Sequence, residues 1–189
     1  MSFDLHIQHS VNNGIKRYQA SQDNFRKLFY DISQSLADKY FTKFQNITVS
    51  FDKAYSKKKE VFPLIVTAVA ESSPYKDQLL GNVGHGTLTM LLNHECKITI
   101  FHDDYDVVKI LHRIIQASLL LFQRSFLSIG YLNMRFLDSG DLEPEKELTS
   151  DGVVVYKRLL RYSATQTLDV TPIPDADFNL PWELVPTIT

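Results

Sequence analysis

Apolar side chains between Ser21 and Ala37 recur at helical spacing, with Phe25, Leu28, Phe29, Ile32 and Leu36 at i, i+3, i+4, i+7 and i+11. One helix face carries all five, so the pattern predicts an amphipathic helix over about 22–41 with Ser21 as its N-cap. Residues 1–20, ahead of it, read as a polar lead without a period. After it Ile47–Phe51 alternates as a short strand, and Val61–Ala70 is apolar on both faces, as suits a strand covered on both sides. Thr87–Phe101 shows the cleanest alternation in the chain: Leu88, Met90, Leu92, Cys96, Ile98 and Ile100 share one face and mostly polar residues the other. Such a run exceeds an ordinary strand. It predicts either a bend or bulge near Asn93-His94 or a hairpin arm projecting from the domain.

His102-Asp103-Asp104 supplies a cap and an acidic first turn for a second helix, on which Val107, Val108, Leu111, Ile114, Ile115, Leu119 and Phe122 form a wide apolar stripe. Leu127–Leu137 alternates as a strand, Asp138–Glu147 reads as an acidic loop, and Val153–Gln166 is the last long strand. The order is α β β β α β β. It predicts an α+β fold: a single mixed, mainly antiparallel sheet of about four to five strands, two amphipathic helices packed on it, and extended N- and C-terminal arms. The division is then a lead at 1–20, a domain at 21–167 and an arm at 168–189. Ile98, Ile100, Leu111, Ile114, Ile115 and Leu119 are the expected core.

The arm holds Pro172, Pro174, Pro181 and Pro186 and no Lys or Arg, which excludes helix and central strand. Phe178, Leu180, Trp182 and Leu184 nevertheless alternate with Asn179, Pro181 and Glu183, leaving an apolar face for something to cover. A docking arm is the reading that follows.

Composition narrows the class without naming a function. The 189 residues are 44% hydrophobic and 12% aromatic, ample for one domain's core. With 20 Lys+Arg against 22 Asp+Glu the net charge is −2, so the chain lacks the charge footprint of a dedicated nucleic-acid binder. Cys96 is the one cysteine, which removes an intrachain disulfide and fits a reducing compartment. The first residues lack the charged start and apolar run of a secretory signal, and no stretch is apolar enough to span a bilayer, so a soluble, unprocessed intracellular chain is expected.

Motifs for chemistry are sparse. The glycine loop Gly81–Gly86 is followed by a strand rather than the helix a phosphate cradle needs, and it reads as a hairpin entry. His94-Glu95-Cys96 offers zinc-ligand types, but along an extended strand His94 and His102 lie ~26 Å apart, too far for one ion. A buried free thiol and a strand-edge imidazole are the simpler reading. Asp138–Glu143 is acidic without calcium-loop spacing, and His102-Asp103-Asp104 lacks a nucleophile elbow to complete a relay. The lysines at 53 and 57–59 read as a solvated loop, whose alternative is contact with phosphate or an acidic partner. No catalytic residue, metal or cofactor is therefore expected. The competing class is a small soluble enzyme with a site near His85, His94 and Cys96.

The junction Lys97-Ile98-Thr99-Ile100-Phe101-His102-Asp103-Asp104-Tyr105-Asp106, leading into the 107–122 helix, resembles tail terminator (tail completion) proteins of long-tailed bacteriophages, in which a strand ending in an acidic hinge feeds a helix. The opening helix Phe25–Leu36 and the closing strands around Phe136–Ser139 and Val153–Tyr162 are similar to that family too, so the resemblance covers about residues 22–166. It implies helices packed on a sheet and a homo-oligomeric ring, a hexamer, that caps the tail tube, meets the head-tail connector and offers its lumen as a path for DNA. The location implied is the virion neck, after assembly in the host cytoplasm. The polar lead and long arm depart from the smaller family members, which keeps another neck, tube or baseplate component as the alternative. Expected contacts between subunits or with partners are Phe178, Leu180, Trp182 and Leu184 on the arm, and Lys57, Lys58 and Lys59 on the loop.

Overall fold

Two long strands form the spine of the molecule. In the computed structural model, which describes residues 3–52, 62–70, 73–74, 88–144 and 154–170, Leu88–His102 and Tyr156–Val170 pair antiparallel along their whole length without a register shift, from Leu88 opposite Val170 to His102 opposite Tyr156. In chain order the elements are α1 (Phe3–Gln19), α2 (Gln22–Leu28), α3 (Gln34–Phe44), β1 (Ser50–Asp52), β2 (Leu64–Val69), β3 (Ser73–Pro74), β4 (Leu88–His102), α4 (Tyr105–Leu121), α5 (Gln123–Ser128), β5 (Tyr131–Ser139), β6 (Glu143–Pro144) and β7 (Tyr156–Val170). The main strands lie in the order β1-β2-β4-β7-β5, with the two-residue β3 and β6 beside β4 and β7. Only β1 runs parallel to its neighbour. The fold is α+β with an open, mixed, mainly antiparallel sheet.

Pleating sorts the strand residues between two faces. Ile65, Cys96, Ile98, Ile100, Leu160 and Tyr162 point into a continuous core shared with all five helices. The opposite face carries a smaller cluster of Leu64, Val66, Phe101 and Val155. Within the expected Val61–Ala70 strand, β2 spans Leu64–Val69 and is buried on both faces from Leu64 to Thr67, and Leu111, Ile114, Ile115, Leu119, Ile98 and Ile100 are all buried as expected. Asp104 caps α4 by accepting from the Asp106 amide at 2.8 Å, and Ser21 caps α2 by accepting from the Asn24 amide.

Several boundaries differ from the sequence reading. The N-terminal lead is not an arm but a helix, α1, whose Phe3, Ile7, Val11, Ile15 and Tyr18 are buried. These residues recur every three or four positions, but the stripe is one side chain wide among polar neighbours. Gly14 lets α1 approach α4 so closely that a β-carbon there would lie 1.7 Å from Ser118 Oγ. The 22–41 helix is split into α2 and α3. Ser33 caps the second by accepting from the Leu36 amide at 3.4 Å, and Asp31 pairs instead with Arg113 of α4. The helical layer therefore has five segments, not two.

Further along, the start of the Leu127–Leu137 strand belongs to α5, which buries Phe126, and Gly130 at φ +88° makes the turn into β5. A short apolar run cannot separate these options by periodicity. Bulges lie in β5, between Leu132 and Arg135 and between Phe136 and Asp138, not near Asn93-His94. Asp138, assigned to an acidic loop, forms an ion pair with Arg161 across the strands. β7 runs on to Val170, so Leu168, Asp169 and Val170 belong to the sheet and not to the arm. The β4-β7 pairing outruns its neighbours: beyond Leu92 and Gln166 no third strand accompanies it among the described residues. That stretch is a two-stranded ribbon of β4 with the sequence-distant β7, where the expectation was a bend near Asn93-His94 or a hairpin arm.

Candidate functional site

The C-terminal half of α4 is more apolar than one helix face can bury. Leu119, Leu120, Leu121 and Phe122 follow one another; Leu119 is buried and Phe122 packs partly against the core, whereas Leu120 and Leu121 stay exposed, Leu120 at 73%. This end of α4 lies over the edge of the sheet, where β5 has β7 as its single neighbour among the described residues. Between them is a groove of about 280 Å³, floored by Leu119, Met134 and Tyr162 and rimmed by Leu120 and Phe136, with Gln116 and Gln123 as its polar side chains. Phe136 is 46% exposed and packs on Tyr162 with ring centroids 5.3 Å apart. Burial pushes the Tyr162 phenol above its ordinary pKa, so it stays a neutral part of the apolar floor.

The groove's volume falls just short of the range usual for small-molecule sites, ~300–1,000 Å³, and no acid, base or thiol lines it. What it presents is apolar contact beside an edge strand with main-chain groups to offer. Arg124 and Arg135 are exposed but do not line it: Arg135 sits opposite Ser163, on the sheet face away from the Phe136–Tyr162 pair. The sequence reading missed this site. The signal available was the run of four apolar residues ending α4, more than one buried stripe uses.

The residues singled out beforehand fall elsewhere. Phe178, Leu180, Trp182 and Leu184 of the arm, Lys57, Lys58 and Lys59 of the loop, the glycine loop and His85 lie outside the described residues. His94 is half-buried, packs against Phe3 and Tyr131, and its Nε2 lies 2.9 Å from Gln166 Oε1. Cys96 is fully buried beneath the helical layer, and burial pushes its thiol up to about 12. Neither residue borders the groove. His102 Nδ1 accepts from the Asp104 amide at 2.7 Å at the entry to α4, a local turn contact. Among the described residues, no three His, Cys, Asp or Glu side chains gather closely enough to hold a metal ion. No described helix is long and apolar enough to cross a membrane.

Polar contacts fix the helical layer that forms one wall of the groove. Lys43 at the end of α3 donates to Asp104 at 2.7 Å and to Asp106 at 2.9 Å, joining it to the start of α4. Arg113 spans from α4 to Asp31 with both guanidinium nitrogens and stacks over Phe29. The Arg113 bond holds the Asp31 carboxyl near 2, at about 2. Arg26 likewise grips Asp38 between α2 and α3. Two buried imidazole nitrogens, His6 Nδ1 and His112 Nε2, have no hydrogen-bond partner among the described residues. No protein-family model matches this chain, and no curated protein matches its sequence.

Proposed function

We propose that this protein is a structural ring subunit of a virion, a tail terminator that caps the tail tube and presents a surface to the head-tail connector. The single observation that carries the assembly half of this reading is the apolar groove at the open β5 edge. An exposed Leu120 and a half-exposed Phe136 beside an edge strand with no outer partner among the described residues form the kind of surface that a neighbouring subunit covers. The projecting β4-β7 ribbon supports it from the other side, since a pair of strands extending past the sheet is placed to reach an adjacent molecule. The tail-terminator half rests on the resemblance of the strand, acidic junction and helix at residues 97–122. Within that stretch β4 ends at His102 and Asp104 caps α4, an order compatible with the family pattern.

Purified protein mixed with tail tubes polymerised in vitro and viewed by electron microscopy tests the proposal. A terminator sits as a cap on one tube end and stops elongation. Decoration along the tube wall, or tubes left bare and growing, contradicts the role.

A further inference from the structure

We infer that the groove between α4 and β5 receives the C-terminal segment of a second copy of this chain, with Trp182 seated against Leu119, Leu120, Met134 and Phe136. This deepens the ring reading and rests on it, because it names the contact that would join neighbouring subunits.

Three observations select this occupant. The first is pattern. Phe178, Leu180, Trp182 and Leu184 put large apolar side chains on one face of an extended segment, and the groove offers an apolar surface of matching character beside an edge strand. The second is backbone. A segment laid along β5 becomes the new edge, where Pro181 is tolerated with its missing N–H turned outward. With Phe178, Leu180, Trp182 and Leu184 bonded inward, Pro181 falls at an outward position. The bulges in β5 limit unspecific pairing, so side chains in the groove select the partner and the main chain adds to it.

The third is where the segment departs. β7 passes the end of β5 at Gln166, opposite Tyr131, and continues to Val170 on the ribbon. The root of the segment is therefore carried away from its own groove, by about 26 Å over the eight residues from Tyr162 to Val170. To return, the chain would have to reverse at once, step over β5 and pair with it in parallel. A segment that continues outward meets a neighbour instead, and 19 residues of extended chain span up to about 60 Å.

The test uses the full chain with cysteines placed in trans. Leu120→Cys is made on a copy with one affinity tag and Trp182→Cys on a copy with another. Leu120 is exposed, so the first change spares the core, and the native Cys96 is buried. The two proteins are mixed and oxidised. The inference expects a disulfide-linked species carrying both tags, and a ladder of linked subunits when both changes are on one chain. The same doubly substituted chain, linked only within itself, would overturn the inference, as would the absence of linkage in both preparations. Light scattering on the unsubstituted protein separates the two levels. A ring that forms while no 120–182 linkage appears removes this contact and leaves the ring standing, whereas a monomer removes both.

Discussion

Gly14 and Ser118 meet where α1 packs against α4, and the contact leaves no room for another carbon. A β-carbon at position 14 would fall 1.7 Å from Ser118 Oγ and 2.4 Å from its Cβ, so α1 and α4 cannot keep their separation with alanine there. Gly14→Ala should destabilise the fold by about 1–3 kcal/mol, although alanine is the better helix former. Ser118→Gly in the same chain should recover part of that loss, because the two sites share one space. Denaturant titration of both single variants and the double variant checks this, and additive losses would show that the contact is not shared. His112 gives a second residue-scale expectation. Burial, aided by Arg158 and Arg113, lowers its pKa to about 4, against 6.5 ordinarily. In the unfolded chain it takes up a proton near 6.5, in the folded chain only near 4, so between these values the unfolded state binds more protons and acid favours unfolding. Stability from this group is fully present above pH 6.5 and declines by up to about 2–3 kcal/mol as the pH falls to 4. His112→Leu should flatten the unfolding free energy across that interval, and an unchanged slope would assign the acid sensitivity to other groups.

At the scale of elements, α1 separates what the sequence displayed from what only packing decides. β4 and α4 were legible because their apolar residues form long runs of one period, and both end within a residue or two of the expected place. α1 was not, because Phe3, Ile7, Val11 and Ile15 amount to one apolar residue per turn, and what stabilises the helix is the α4 surface it covers. The break between α2 and α3 was hidden for a related reason. The stripe runs on through Ala37 and Phe44, while Ser33 and Asp31 supply the cap and the outward contact that interrupt it. The groove was hidden because it needs β5, displaced by a helix and two bulges, to lie under the end of α4. Ile7→Ala discriminates between a dispensable lead and a core helix. It should cost about 2–5 kcal/mol, as Leu111→Ala on α4 should, whereas a loose arm would give almost no change in the denaturation midpoint.

For the whole molecule, the two faces and two edges of the sheet are unequal. Among the described residues, one face is closed by the helical layer and the other carries a small cluster at one end. Among the described strands, one edge is the three-residue β1 and the other is β5 with its apolar groove. In the assembly proposed above, the β5 edge of one copy meets a different surface of the next, and such head-to-tail contacts close into a ring when the rotation between copies allows it. That assembly is the account's central claim, and the mass of the full chain in solution by size-exclusion chromatography with multi-angle light scattering tests it most directly. The account predicts one discrete species of several protomers, six on the resemblance, that Leu120→Asp at the groove rim converts to smaller species without loss of fold. A protein that elutes as a monomer at every concentration reached would contradict it.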